Sequence, residues 1–301
     1  MQNSGIRRIA VFALLAFIWG SEWVTSRAID APPLSALAFR YAIATVVLAF
    51  IVGIRRPSLP DLRQISVAAV SGITLLALPS ILLVWATSRV SPGLLVVLLA
   101  MTPLIAALLE GRASGTLLTP LIGGIAGTAL IASHALSFSA MQWAGVVAVV
   151  ISAVFVAASI LTIKRRLFET PATVIAAIQF PVAALAVGLA SLAFEHHANV
   201  DVSREAIQVE AGLAFLGNVL AYPLYYSLLK RLESFQLTAS QWLITVIGLA
   251  EGLVIVRAVP NWRIITGVAI VIASLWILFR SRPAEDTPHS TLLNLRVTPP
   301  N

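Results

Sequence analysis

Cysteine is absent from the 301 residues, so disulfides, thiol catalysis and thiolate metal sites are excluded. Charge is scarce too. Asp, Glu, Lys and Arg make up 11% of the chain, where a soluble domain carries about 25%. The formal charge of +7 is spread over loops and is no nucleic-acid footprint. No His-x-x-Glu-His, Gly-x-Ser-x-Gly or P-loop pattern occurs, which leaves zinc hydrolysis, serine hydrolysis and direct use of ATP without support. The four histidines, His134, His196, His197 and His289, fall at helix ends, in loops or in the tail. No nucleophile–base pair or ligand set converges, so the chain is expected to be neither an enzyme nor a binder of a metal or cofactor. A cleavable signal peptide is not expected either. The first apolar block is too long, and no A-x-A-like site precedes the polar stretch 21–27.

What the sequence has in excess is apolar length. Hydrophobic residues make up 59% of it, and the mean hydropathy is +0.94. They run in blocks of about twenty, which matches the ~30 Å hydrocarbon core of a bilayer. The blocks predict spans over 7–29, 33–54, 65–88, 92–109, 116–133, 141–163, 171–194, 206–229, 235–256 and 262–279. Connections are short except 195–210, which is polar and carries Asp201, Glu205 and Glu210. The Pro- and Thr-rich segment 281–301 is expected to be a disordered tail.

Ten spans put both termini on one side. With that side cytoplasmic, 14 of the 20 Lys and Arg fall inside, 5 fall outside, and Arg40 lies within a span. This positive-inside bias would blur with one span added or removed. It leads to the expectation of a multi-pass protein of a bacterial inner membrane with cytoplasmic termini. Ile131-Ala132-Ser133 is echoed by Ile272-Ala273-Ser274, and Ser88-Arg89 falls roughly where Lys230-Arg231 recurs. Both offsets correspond to five spans. Because five is odd, the halves must enter the membrane from opposite sides, as in alternating-access transporters. The expected fold is therefore an all-α integral membrane protein with two inverted five-helix repeats, 1–139 and 140–280, around a central cavity.

Several motifs in this frame resemble the ten-helix, EamA-type exporters of the drug/metabolite transporter superfamily. Span 1 carries Phe17-Ile18-Trp19-Gly20-Ser21, similar to that family's Trp-Gly-Ser opening. Span 2 starts Pro32-Pro33-Leu34 and continues Ala38-Phe39-Arg40-Tyr41. Span 4 holds Thr102-Pro103-Leu104 and ends on Glu110-Gly111-Arg112, and span 8 runs from Ala221-Tyr222 to Lys230-Arg231. Span 9 departs from the pattern. It has Leu243-Ile244-Thr245 where a proline is usual, Val256-Arg257 at its end, and an acid deeper, at Glu251. The resemblance covers residues 7–280 and implies secondary transport, usually export of amino acids, metabolites or drugs. Some members export aromatic or other neutral amino acids.

Charge inside a span costs ~2.5–3.5 kcal/mol on insertion scales and needs a reason. Arg40, Glu22 and Glu251 share a depth in the outer half, so Arg40 is expected to pair with Glu22 or Glu251 in a gate or coupling site. A static ion pair is the bland alternative. Trp19, Tyr222, Tyr225 and Trp242 could line a cavity for an aromatic or apolar solute, with Asn218 and Gln179 as mid-span polar groups. Helix packing and interhelical hydrogen bonding compete for the same residues. Pro79, Pro103, Pro181 and Pro223 are candidate bends. Gly123, Gly124 and Gly127 permit close helix approach, within the chain or across a dimer. The expected partners are a small solute and the lipid bilayer, with no nucleic acid. A monomer is expected, with a homodimer left open. A structural or sensory membrane protein would leave the inverted halves and the buried charges unexplained.

Overall fold

A computed structural model describes residues 2–26, 31–113, 115–137, 139, 142–195 and 203–280. The tail 281–301, His196, His197, Asp201 and His289 lie outside the described residues. Ten helices follow one another: α1 (Gln2–Thr25), α2 (Pro33–Arg55), α3 (Leu62–Thr87), α4 (Pro92–Leu109), α5 (Gly115–Ala135), α6 (Trp143–Arg166), α7 (Ala172–Phe194), α8 (Arg204–Leu229), α9 (Ser234–Val256) and α10 (Trp262–Arg280). Among the described residues, the nine from α2 to α10 are long and apolar enough to cross a membrane. Helix α1, at 24 residues, is the tenth of similar length. Large apolar side chains such as Val46, Phe50, Leu185, Leu192 and Val254 point outward and are exposed. That arrangement suits lipid, not water, as the surrounding solvent.

The helices alternate between a terminal face, holding Arg280 and the start of α1, and a far face. Two helix ends differ from the sequence expectation. Lys164, Arg165 and Arg166, expected in a loop, form the last turn of α6, where cations oppose the negative end of the helix dipole. Helix α8 begins at Arg204, ahead of the predicted 206, so that Glu210, counted both in the polar connection and in the span, lies well inside it. The Ser203 hydroxyl accepts from Ala206 N at 3.1 Å and starts that helix early.

The packing has internal two-fold symmetry. Helix α2 packs on α7, α5 on α10 and α4 on α9, each helix meeting its own counterpart five places on. Other contacts come in matched pairs: α1 with α9 as α6 with α4, α3 with α6 as α8 with α1, and α3 with α7 as α8 with α2. The pattern identifies two inverted five-helix repeats.

Even the irregularities repeat. Helix α3 widens into a π-helical stretch at Gly72–Ala77, and α8 does so at Ala214–Leu220. Prolines 79 and 223 follow directly. A proline ring clashes with the carbonyl four residues earlier. Those residues, Leu75 and Val219, lie in the widened turns, which accommodate the ring. Helix α4 breaks at Ala100–Met101, before Pro103, and α9 breaks at Ala239. The Trp242 indole donates to the carbonyl of Ala100 at 2.9 Å, satisfying a group the break leaves free.

Helices α5 and α10 cross where Gly127 meets Gly267. A Cβ on either would lie 2.8 or 2.7 Å from the other's carbonyl oxygen, so only glycine fits. Gly123 and Gly124 face Ser274 and Trp242 of the same chain. These glycines therefore serve packing within the protomer.

At the far face, Glu195 closes the α2–α7 contact. Its carboxylate accepts from Leu34 N at 2.9 Å, Ser35 N at 2.8 Å and Ser35 Oγ at 2.9 Å. The first turn of α2 is thereby capped from another helix. Pro33 at its start has no N–H of its own to satisfy. Replacing Glu195 with alanine is expected to cost about 1–2 kcal/mol. A lowered midpoint in detergent-solubilised thermal unfolding would show it, and glutamine should recover part of the loss.

Candidate solute cavity

A cavity of about 710 Å³ lies between the two repeats. It begins among Ser26, Ala31, Pro33 and Thr87 at the far face. It ends near Ile160 of α6, Tyr225 of α8 and Thr238 of α9. Such a volume is of the size that holds a small organic ligand.

Three ionisable groups line it: Glu22, Arg40 and Glu210. Arg40 Nε donates to Glu210 Oε2, and Nη2 donates to Glu210 Oε1 at 3.1 Å. This is the two-point fork in which guanidinium and carboxylate geometry match. Arg40 Nη1 donates to Glu22 Oε1 at 2.6 Å. The second Glu22 oxygen lies over Gly217, where a Cβ would come within 2.8 Å of it. Glu251, the alternative partner expected from sequence, is elsewhere. Its carboxylate accepts from Ser21 Oγ at 2.5 Å in the α1–α9 contact, while Arg40 belongs to α2, which packs on α7 and α8.

Aromatic rings form one wall. Trp19 meets Tyr222 at 5.4 Å and Tyr225 at 5.3 Å between ring centroids. The Trp19 indole N–H is taken up by the carbonyl of Gly217, at 3.1 Å. Tyr222 in turn stands edge-on to Phe180. Asn218 lies beside this wall in the π-helical stretch of α8. It lines the cavity, is 4% exposed, and its buried Nδ2 has no hydrogen-bond partner.

Two residues expected at the site are not in it. Trp242 is fully buried and occupied with Ala100. Gln179, also fully buried, donates to Ser71 Oγ at 2.7 Å and accepts from the Tyr226 hydroxyl. It joins α7 to α3 and α8 instead of facing solute. Tyr41 and Thr238, which sequence reasoning passed over, do line the cavity. So does Glu210, and a signal for it existed. Residues 210, 218, 222 and 225 are spaced by eight, four and three, a helical stripe of polar and aromatic groups.

The terminal end is shut. Beyond the cavity, Ile163, Leu167, Tyr226 and Leu229 pack together, each no more than 2% exposed. Outside that plug lies a charged layer. Glu233, at the start of α9, accepts from Arg112 Nη1 at 3.2 Å and from Lys164 Nζ. Glu110 at the end of α4 accepts from Ser234 N at 3.0 Å. Lys230 donates to the carbonyl of Thr170 at 2.9 Å. The ends of α4, α6 and α8 are thus tied to the start of α9 or to the α6–α7 connection.

The sequence profile of the EamA-like transporter family matches this chain twice, over residues 7–138 and 143–280. The chain belongs to the EamA-like transporter family. The two matches divide this EamA-like protein where the packing symmetry divides it. None of the curated proteins compared matches its sequence. Among solved structures, one crystal structure superposes with a TM-score of 0.75, covering 90% of this chain and 96% of that one. At 18% identity that likeness speaks to the fold. Family and fold together make the chain a multi-pass membrane transporter; members of the family are transporters, not enzymes.

Proposed function

We propose that this EamA-like protein is a secondary transporter that exports small organic solutes, amino acids or related metabolites of aromatic or neutral character, by alternating access. The observation that carries this reading is the one-sided cavity. It lies at the seam of two inverted repeats, is lined toward the far face by Ser26, Ala31, Pro33 and Thr87, and is bounded toward the terminal face by buried apolar side chains and ion pairs. Repeats that can exchange conformations would open the other side by the same motion reversed. We place both termini in the cytoplasm of a bacterial cell, on the distribution of basic residues, so the structure corresponds to an outward-open state. Trp19, Tyr222, Tyr225 and Asn218 would contact solute, and Arg40 with Glu22 would govern the mouth.

The test is solute counterflow in proteoliposomes loaded with unlabelled amino acids or aromatic metabolites. Saturable uptake of labelled solute against no chemical gradient is expected. Its absence across the whole panel, from protein that remains monodisperse, would refute transport of this class.

A further inference from the structure

The charge count of the cavity selects among solutes. Among the described residues, its ionisable acid and base lining is two carboxyl groups and one guanidinium. Glu210 already meets Arg40 through both oxygens. Glu22 is the carboxylate in excess, held through one oxygen, with its side chain 22% exposed toward the cavity. An excess charge surrounded by apolar helices attracts a counter-ion strongly, because little water screens it. Trp19, which forms the aromatic wall with Tyr222 and Tyr225, lies one helical turn from Glu22 on α1. Aromatic faces favour cations and disfavour anions. An independent second group points to a ligand as well. The orphan Nδ2 of Asn218 is a buried donor lining the same cavity. An unmet donor in such a place calls for an acceptor oxygen.

We propose that the solute is an organic amine: an ammonium bound against Glu22 and the aromatic wall, with a neutral oxygen acceptor beside it for Asn218. Amino amides and amino alcohols fit this best. A free carboxylate on the solute would face two carboxylates and only one guanidinium, whose fork is already occupied. This inference rests on the transport reading for its meaning, but its test on binding does not.

The experiment uses the purified full chain and five probes with one body: phenylalaninamide, phenethylamine, phenylalanine, hydrocinnamate and neutral hydrocinnamamide. Affinity is read by calorimetry, with thermal stabilisation as a second measure. Phenylalaninamide should bind most tightly and hydrocinnamate at least about tenfold more weakly. Hydrocinnamate binding as tightly as phenylalaninamide overturns the proposal with no substitution needed. Glu22→Gln should fold, since it keeps an acceptor for Arg40 and leaves Arg40 and Glu210 in balance. It should weaken both amines about tenfold or more and leave neutral hydrocinnamamide unchanged. Unchanged amine affinity in that variant would mean that something other than the solute, such as a proton, meets the excess charge, and overturns the proposal. Asn218→Leu should remove the advantage of phenylalaninamide over phenethylamine. Counterflow then separates the two levels. Exchange of hydrocinnamate but not of the amines leaves transport standing and this inference overturned. Selective amine binding with no exchange refutes transport and leaves the charge selectivity in place.

Discussion

Replacing Arg40 with alanine should remove about 3–5 kcal/mol of stability, the cost of breaking a buried ion cluster from its centre. Arg40 is 6% exposed and is the shared partner of Glu22 and Glu210. Without it, two carboxylates face one another in a cavity wall with no cation among the described lining residues. A loss of this size is a large part of a typical folding free energy of 5–15 kcal/mol. Aggregation on extraction and a strongly lowered thermal midpoint are the expected readouts. Lysine at this position should recover only part of the loss, because a single ammonium cannot make the fork to Glu210. The informative variant replaces all three, Arg40→Met with Glu22→Gln and Glu210→Gln. Fold and midpoint should return, because a well-packed neutral cluster costs less than a broken charged one. Discrimination between amines and acids should not return. A single alanine variant as stable as the parent would show that the cluster contributes nothing to the fold.

The contrast between Arg40 and its partners shows what the sequence could and could not reveal. A lone arginine in an apolar block is conspicuous, and Glu22 at matching depth made a partner easy to name. Glu210 was hidden by its neighbours. It lies where the polar connection 195–210 overlaps the predicted span 206–229, so hydropathy leaves its place undecided, and the Ser203 cap and the stripe toward Tyr225 put it in the helix. The helical spans and their division into two repeats are legible because each span must be long and apolar by itself, whatever its neighbours. Which face of a span meets the cavity is a different matter. Trp19 and Trp242 look alike in sequence, yet one forms the wall and the other plugs a backbone gap at Ala100. That distinction depends on the break in α4, which arises from packing around Pro103 and not from any property of α9. Gln179 is similar: its partners, Ser71 and Tyr226, are 108 and 47 residues away.

The second large effect is expected at the closed end. Glu233 is the single carboxylate that accepts from both Arg112 and Lys164, and its side chain also caps α9 in a reciprocal box with Gln236. Replacing it with alanine removes both ion pairs and the cap together. The two cations are then left close to one another at the ends of α4 and α6. Their repulsion acts only while the terminal face is shut, so it favours the state in which that face opens. A bias of about 1–3 kcal/mol would move the balance between the two states by roughly 5–150-fold. The cysteine-free sequence makes the measurement direct. Ile163, 2% exposed, lies within the plug, and an Ile163→Cys substitution carries the only thiol in the chain. In the otherwise unaltered protein it should resist a membrane-impermeant maleimide from either face. Combined with Glu233→Ala it should label from the terminal face. Glutamine at 233 keeps the cap and loses the charge, so it separates the two contributions: labelling midway between parent and alanine assigns the lock to charge and cap together. Equal resistance to labelling in all three would mean that the apolar plug alone holds the face shut, with Glu233 serving only to start α9.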